Sequence, residues 1–354
     1  MKIGILTFHW AINYGAVLQC YALQSFLESK GNQVKVINYK PTQYDDNICN
    51  FFHNRKFFHL SAYVHERKKR LALDKFRDMY LHQTKRVYYL KKISPIVSGF
   101  DAIVSGSDQV ANPSFLLSGE GHVTPTYFLG FPFEGIRFGY ALSFGCVSYP
   151  EKARAIAANY IKDFNVVTVR EKTGIEIVKS MGRNDATVAP DPTLLMPPKF
   201  YQNLASYVEL RQSCSFVYSF FIRNIKERKK AVNEILKVKR VLWNNEDGSY
   251  SIESWLCKIR NAEFVVTDSF HCVVMCLKFH VHFVVITEHY GNIGMNDRLY
   301  TLLENCNLIE RILHKSNIND ILKVSAMDIN WSEVDCLLSV YSDIGRRVLV
   351  KYFN

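Results

Sequence analysis

The residues best suited to chemistry follow a short apolar segment in the C-terminal half of the chain. Phe264 to Thr267 is typical of a buried strand, and Asp268 to His271 come directly after it, before an apolar helix. A helix that begins there offers backbone N–H groups to a phosphate, and an imidazole beside them can move protons near neutral pH. His271 is therefore a candidate acid or base, with Asp268 and Ser269 in the same site. The competing interpretation is a packed structural histidine after a helix cap.

Two arginines follow other predicted strand ends. Arg170 comes directly after a strand that ends at Val169, and Arg298 follows Asn296 and Asp297 in a later loop. A guanidinium group can bind a carboxylate or a phosphate through two parallel N–H donors, so both arginines are candidate anion ligands. For each arginine taken alone, a surface ion pair is the competing interpretation.

Two loops in the N-terminal half carry polar groups that suit other ligands. In the first, a glycine before a helix permits close approach to backbone N–H groups, and the helix N-terminus favours an anion. In the second, a carboxylate and an amide suit hydrogen bonds to sugar hydroxyls, and the carboxylate can also act as a base. An ordinary loop, and helix capping by Ser107 or Asp108, are the competing interpretations. The candidate residues of the two loops are His9, Asn13, Gly15, Ser107, Asp108 and Gln109.

The elements predicted around these loops alternate between strands and helices. Residues 2–8, 16–29 and 34–39 have the patterns of a strand, a helix and a strand, which form a βαβ unit and imply a parallel sheet. The alternation continues to residue 181 and resumes from residue 214 to residue 306. The pattern predicts an α/β protein with two Rossmann-like domains facing a cleft, in which ligands bind beyond the carboxyl ends of the strands.

A proline-rich segment separates the two predicted domains. Ala189 to Thr193 contains two prolines and Pro197 and Pro198 follow, a density that interrupts regular structure and indicates a linker. We predict an N-terminal domain over residues 1–195 and a C-terminal domain over residues 196–330. A final helix over residues 331–354 is expected to pack back on the N-terminal domain.

The composition is that of a folded protein. Of the 354 residues 48% are apolar and 22% are charged, which excludes the low-hydrophobicity signature of disorder. The first residues lack the long apolar core of a secretory signal, and no segment approaches the length of a membrane-spanning helix, so we expect a cytoplasmic protein. Nine cysteines occur without a C-x-x-C pair, which favours reduced thiols over a zinc site.

The formal net charge of +11 favours an anionic partner. A phosphorylated small substrate, a nucleotide sugar, an anionic membrane surface and nucleic acid all fit this charge, although the sequence contains no nucleic-acid-binding motif. Much of the charge lies between residues 53 and 86, and residues 63–80 have the pattern of a basic amphipathic helix. A solvated helical face and a peripheral contact with the inner membrane surface are the two interpretations of this helix.

Taken together and in order, six motifs over residues 1–310 resemble the polysaccharide pyruvyl transferase family. Each motif alone is modest, but their ordered combination is specific. The motifs are YGAVLQ from Tyr14, FDAIVSGSDQ from Phe100, VREK from Val169, DPTLL from Asp191, TDSFH from Thr267 and NDR from Asn296.

This resemblance implies a fold similar to that of the type B glycosyltransferases. It also implies phosphoenolpyruvate as the donor co-substrate, no further cofactor and no metal. The acceptor would be a lipid-linked or nucleotide-linked sugar of a surface polysaccharide, such as a capsule or an exopolysaccharide. Two hydroxyls of that sugar would form a cyclic ketal with the pyruvyl group, and phosphate would be released.

The resemblance also implies roles for the candidate residues. His271 would be the catalytic acid or base beside the donor, with Arg170 and Arg298 as anion ligands on the donor side. Asp108 and Asn13 would line the acceptor side, in the N-terminal domain. Two rival functions fit the same architecture: a glycosyltransferase that uses a nucleotide sugar, and a non-catalytic sugar-binding partner in polysaccharide assembly.

Overall fold

The computed structural model describes residues 1–45, 60–208, 215–222, 225–237, 239–243, 248–287, 296–314 and 317–354. The chain divides into two units. Unit 1 comprises Met1–Leu195 with Ile344–Asn354, and unit 2 comprises Met196–Asp343. The first part of the predicted basic segment, including Arg55 and Lys56, lies outside the described residues.

Unit 1 is built on a six-stranded sheet with the strand order β2-β1-β3-β4-β5-β6, in which every neighbouring pair is parallel. The residues of β3 are all buried, as expected for a parallel sheet covered by helices on both faces. The strands are β1 Lys2–Leu6, β2 Gln33–Val36, β3 Ala102–Gly106, β4 Ile136–Leu142, β5 Val166–Val169 and β6 Thr187–Val188.

Helices connect these strands in the βαβ pattern that parallel neighbours require. Three short 3₁₀ turns, Thr42–Tyr44, Leu90–Lys92 and Thr126–Phe128, lie in the longer connections. The helices of this part of the chain are α1 Tyr14–Ser29, α2 Leu60–Tyr80, α3 Ser94–Val97, α4 Pro113–Ser118, α5 Glu151–Ile161, α6 Thr173–Ser180 and α7 Pro192–Leu195.

Unit 2 contains a second parallel sheet of five strands, in the order β11-β10-β9-β7-β8. Its strands are β7 Val217–Phe220, β8 Val241–Trp243, β9 Phe264–Thr267, β10 His282–Ile286 and β11 Ile312–Leu313. The helices that follow α7 are α8 Pro198–Ala205, α9 Ile225–Ile235, α10 Ile252–Asn261, α11 Phe270–Phe279, α12 Asp297–Glu304, α13 Ile318–Ala326 and α14 Trp331–Phe353, with a 3₁₀ turn at Ile309–Arg311.

The prediction of an α/β protein with two Rossmann-like parallel sheets is confirmed by this topology. Helices α7 and α8 begin within the proline-rich segment, at Pro192 and Pro198. Asp191 and Leu195 are almost fully buried within unit 1, and the chain passes from unit 1 to unit 2 between Leu195 and Met196. Among the helices of the described ranges, none has both the length and the apolarity needed to cross a bilayer.

The last helix, α14, begins in unit 2 and ends in unit 1. Within unit 1 its glycine, Gly345, lies close to Tyr140 of β4 and to Pro190. Arg346 donates from Nε and Nη2 to the carbonyl oxygen of Leu195, at 3.1 and 2.9 Å. These contacts make the C-terminal end of the helix part of the packing of unit 1.

Replacing Gly345 with alanine should destabilise the protein, although alanine is the better helix former by about 1 kcal/mol. The added Cβ would lie 2.3 Å from Tyr140 Oη and 2.9 Å from Pro190 Cγ, so buried groups would have to move. Overpacking of this kind costs about 1–3 kcal/mol, which lowers the thermal midpoint of unfolding. Gly99→Ala is the control, since no atom lies within 4 Å of its added Cβ. A midpoint for Gly345→Ala at or above that of the unmodified protein would contradict this packing.

Candidate functional site

The strands of each sheet are parallel, so the loops after their carboxyl ends gather at one edge of that sheet. We call these two places the first-sheet edge, in unit 1, and the second-sheet edge, in unit 2. The candidate residues divide between them. His9, Asn13, Gly15, Ser107, Asp108, Gln109 and Arg170 belong to unit 1, and Asp268, Ser269, His271 and Arg298 belong to unit 2.

A buried carboxylate organises the first-sheet edge. Asp191 Oδ2 accepts hydrogen bonds from Ser107 Oγ and from Arg170 Nη1, both at 3.0 Å. Its Oδ1 accepts from the backbone N–H and the hydroxyl of Thr193, at 3.0 and 2.7 Å. Asp191 therefore joins the loops after β3, β5 and β6 and fixes the first turn of α7. Sequence reasoning did not select it as a site residue, because its partners are distant in the sequence.

The guanidinium of Arg170 is almost fully buried among three carboxylates. It lies 3.0 Å from Asp191, 3.7 Å from Asp108 and 3.8 Å from Glu171. Burial alone would lower the pKa of Arg170, but the three carboxylates outweigh this effect and raise it. One formal positive charge thus faces three formal negative charges. The role of Arg170 as an anion ligand remains a prediction, and in the structure its guanidinium is bonded to Asp191.

In the loop after β1, the candidate His9 contacts other protein groups through both ring nitrogens. His9 is buried, and its ring nitrogens lie 3.2 Å from Thr7 O and 3.2 Å from Asn38 Oδ1. Burial lowers the pKa of His9 to about 4, and the nearby charge of Arg77 acts in the same direction. The imidazole is therefore neutral at pH 7. An acceptor contact for His9 remains a prediction.

Asn13 and Gly15 begin helix α1. Asn13 is the N-cap, and its Oδ1 accepts from the backbone N–H groups of Gly15 and Ala16, at 2.9 and 3.3 Å. The N–H of Gly15 thus donates to the side chain that caps its own helix. Ligand binding at these two residues remains a prediction.

The loop after β3 carries the most accessible candidate carboxylate of this edge. The side chain of Asp108 is 15% exposed, and its backbone oxygen accepts from Val110 N and Ser143 N, at 2.8 and 3.2 Å. The alternative role of Ser107 or Asp108 as a helix cap is wrong. The next helix, α4, is capped by Asn112, whose Oδ1 accepts from Ser114 N at 2.9 Å.

Replacing Asp191 with asparagine should destabilise the protein strongly, because the buried guanidinium of Arg170 loses its nearest counter-charge. Breaking a buried pair in this way costs about 3–5 kcal/mol, and the two remaining carboxylates favour the lower end of this range. Urea unfolding measures the effect. The matched control is Asp185→Asn, which breaks the pair with Arg183 at a side chain that is 64% exposed and should cost about 0–1 kcal/mol. Equal losses for the two variants would contradict the role of Asp191.

At the second-sheet edge, the residues after β9 hold the neighbouring loops. The hydroxyl of Thr267 donates to Phe220 O at 2.5 Å and accepts from Ser269 N at 3.0 Å. Asp268 Oδ1 accepts from the backbone N–H of Ile222 at 2.6 Å. Ser269 is the N-cap of α11, and its Oγ accepts from Cys272 N at 3.4 Å. These bonds fix the start of the helix that carries His271.

His271 lies in the first turn of α11, as predicted, and is 5% exposed. Its ring packs edge to face against Phe270, with the centroids 5.2 Å apart and an interplanar angle of 89°. The guanidinium carbon of Arg298, in the first turn of α12, lies 5.7 Å from the centroid of the same Phe270 ring. The structure therefore brings His271 and Arg298 together around one aromatic side chain.

A further histidine at this edge was missed from the sequence. His314 follows β11, and its Nδ1 lies 2.8 Å from the hydroxyl of Thr287, which follows β10. A strand of only two residues has no periodicity that would reveal it. Residues 288–295, which precede Asn296 in the chain, lie outside the described residues. In the part of the chain that the structure describes, no three His, Cys, Asp or Glu side chains form a group that could hold a metal ion.

The family model described as polysaccharide pyruvyl transferase matches residues 13–290. This range is more than half of the chain and contains the motifs from Tyr14 to His271. The chain belongs to the polysaccharide pyruvyl transferase family. Membership places it among the transferases of polysaccharide biosynthesis. Arg298 lies beyond the matched range. A comparison with curated protein sequences finds no match.

Several solved structures match this family member over almost its whole length. A putative UDP-N-acetylglucosamine 2-epimerase from Listeria monocytogenes has a TM-score of 0.55 and 12% identity, and the match covers 99% of this chain and 94% of that one. A UDP-GlcNAc 2-epimerase from Methanocaldococcus jannaschii has a TM-score of 0.49 and 11% identity, with 99% and 100% covered. The heptosyltransferase WaaC of E. coli, solved with ADP, has a TM-score of 0.39 and 10% identity, with 96% and 100% covered. At 12% identity, the similarity to the Listeria monocytogenes structure shows the fold alone.

Proposed function

We propose that the protein transfers the pyruvyl group of phosphoenolpyruvate to a sugar of a surface polysaccharide precursor. The product is a cyclic ketal across two sugar hydroxyls, and phosphate is released. The observation that carries the proposal is the placement of His271 and Arg298 around Phe270, at two helix N-termini, in a chain of this family. The acceptor is a lipid-linked or nucleotide-linked sugar, and phosphoenolpyruvate is the co-substrate.

The second-sheet edge suits an anionic donor. Phosphoenolpyruvate carries a phosphate and a carboxylate, and the first turns of α11 and α12 present backbone N–H groups at the positive ends of helix dipoles. Arg298 adds a guanidinium that can bind either group through two hydrogen bonds. Ser269, Asp268 and Thr267 hold the start of α11 in position through the hydrogen bonds described above.

The chemistry needs one proton donor and stabilisation of negative charge. His271 in its protonated form gives a proton to the methylene carbon of the enol, which leaves an oxocarbenium-like centre at the neighbouring carbon. One sugar hydroxyl attacks this carbon, the C–O bond to phosphate breaks, and the second hydroxyl closes the ketal ring. The two hydroxyl protons go to the departing phosphate and to a base. Donors fixed around the phosphate stabilise it as it leaves.

The first-sheet edge suits the acceptor better than the donor. Its three carboxylates outnumber the one guanidinium, which opposes the binding of a phosphate but favours hydrogen bonds from sugar hydroxyls. Asp108 is partly exposed there and is our candidate base for an acceptor hydroxyl.

Replacing His271 with asparagine should lower kcat by about 10²–10⁴-fold, since the proton donor is lost. Acceptor-dependent phosphate release from phosphoenolpyruvate, with a panel of nucleotide-linked and lipid-linked sugars, measures the effect. The matched control is His280→Asn at the other end of α11, where the residue has φ 56° and asparagine is tolerated. Undiminished turnover in His271→Asn would exclude this role. Nucleotide release without phosphoenolpyruvate consumption would favour a glycosyltransferase that uses a nucleotide sugar.

Replacing Arg298 with glutamine should weaken phosphoenolpyruvate binding about 10–100-fold, the loss typical of one hydrogen-bonded charged group. Titration calorimetry measures the dissociation constant without any acceptor. Arg260→Gln, at an exposed position of α10, is the control, and the thermal midpoint of each variant reports whether it folds. An unchanged dissociation constant in a folded Arg298→Gln variant would remove Arg298 from the donor site.

A further inference from the structure

A small cavity of about 320 Å³ opens within unit 1, beside the loops after β1 and β3. Aromatic rings dominate its lining, and amide and hydroxyl groups complete it. The proposed function assigns no role to these aromatic residues. We call this cavity the aromatic pocket. The lining residues used below are Phe8, Trp10, Tyr44, Phe115, Gln109 and Asn112.

The rings of the aromatic pocket contact one another and form a continuous wall. Trp10 lies 4.7 Å from Tyr44 and 5.5 Å from Phe8, measured between ring centroids. Tyr44 stacks on Phe115 at 6.0 Å with an interplanar angle of 16°, and Phe8 meets Phe115 edge to face at 5.1 Å. Trp10 and Tyr44 are only partly buried, so part of each ring remains accessible.

Hydrogen bonds from other elements hold the segments that carry these rings. Arg77 of the basic helix α2 is buried and donates to the carbonyl oxygens of His9 and Ala11, both at 2.7 Å, on either side of Trp10. Trp10 Nε1 donates to Tyr127 Oη at 3.3 Å. Side chains held in this way lose little conformational entropy when a ligand binds.

The turn that carries Tyr44 is fixed in a similar manner. The side chain of the preceding residue, Gln43, donates from Nε2 to Ser118 O at 3.1 Å and to Gly119 O at 2.7 Å. These carbonyl groups belong to the end of α4, the helix that also supplies Phe115. The turn and the helix therefore form one supported part of the wall.

The lining selects a neutral ligand with hydroxyl groups. Among the described residues that line the cavity, the phenol of Tyr44 is the one ionisable group, so nothing there neutralises a phosphate or a carboxylate. The side-chain amides of Gln109 and Asn112 can donate to and accept from hydroxyls. The faces of aromatic rings carry partial negative charge and attract the weakly positive C–H groups of a sugar ring. The volume is at the lower end of the range of ligand pockets, which suits a single ring.

We propose that the aromatic pocket binds one pyranose ring of the acceptor. The Trp10 and Tyr44 rings cover the C–H face of the sugar, and the amides of Gln109 and Asn112 bind its hydroxyls. Gln109 directly follows Asp108, the candidate acceptor base, in the chain. That the ligand is an acceptor rests on the proposed function; that it is a pyranose rests on the lining alone.

Saturation-transfer NMR tests the pocket without any turnover. The probes are methyl β-galactopyranoside, methyl α-glucopyranoside and methyl N-acetyl-β-glucosaminide, which differ at the ring positions where hexoses vary most. We expect transfer to the C–H protons of at least one probe, unaffected by added inorganic phosphate. Trp10→Ala should weaken that probe's affinity about tenfold or more, and Trp10→Phe should weaken it less. The matched control is Tyr207→Ala, an aromatic residue of unit 2 that is 71% exposed.

Three results would overturn the proposal: no transfer to any probe, competition by inorganic phosphate, or equal affinity in Trp10→Ala. If Trp10→Ala does not fold, as judged by circular dichroism, Tyr44→Leu replaces it with the same expectations. The proposed function can fail separately. Pyranoside binding at Trp10 without pyruvyl transfer would leave the pocket valid and the reaction wrong. Pyruvyl transfer with an unchanged acceptor KM in Trp10→Ala would leave the reaction valid and the pocket wrong.

Discussion

The carboxylate of Asp191 is the interaction on which the first-sheet edge depends. Removing the counter-charge of a buried guanidinium is strongly destabilising, and Asp191 supplies that counter-charge to Arg170 at 3.0 Å. The same carboxylate binds Ser107 after β3 and Thr193 at the start of α7. Three loops are thus fixed relative to one another by one side chain. Asp108, which directly follows Ser107, acquires its position from this arrangement.

The two edges differ in electrostatic character. In unit 1, Arg170 is surrounded by carboxylates, and the nearby aromatic pocket carries almost no charge. In unit 2, His271 and Arg298 lie in the first turns of two helices, where backbone N–H groups favour an anion. This contrast supports our proposal that a hydroxyl-rich substrate binds at the first-sheet edge and an anionic one at the second-sheet edge.

The sequence predicted the elements whose signal is local. Continuous apolar runs gave β9 and α11, and therefore the position of His271 in the first turn of a helix. The short elements β6, β11 and α7 were missed, because no periodicity develops over so few positions and they lack a continuous apolar run. The lowered pKa of His9 depends on burial and on the charge of Arg77, which the sequence does not connect to it. The aromatic pocket escaped notice for the same reason, since three distant segments build it.

The final turns of α14 determine when unit 1 can finish folding during synthesis. Phe353 lies 5.0 Å from the ring of Phe138, and its carbonyl oxygen accepts from Asn32 Nδ2 at 2.7 Å. The ribosome makes these partners early, but it must complete the whole of unit 2 before Phe353 appears. Until then, the apolar surface around Phe138 lacks its cover. The nascent chain therefore exposes this apolar, aggregation-prone surface for most of its translation. Truncation before residue 344 would leave the surface exposed permanently.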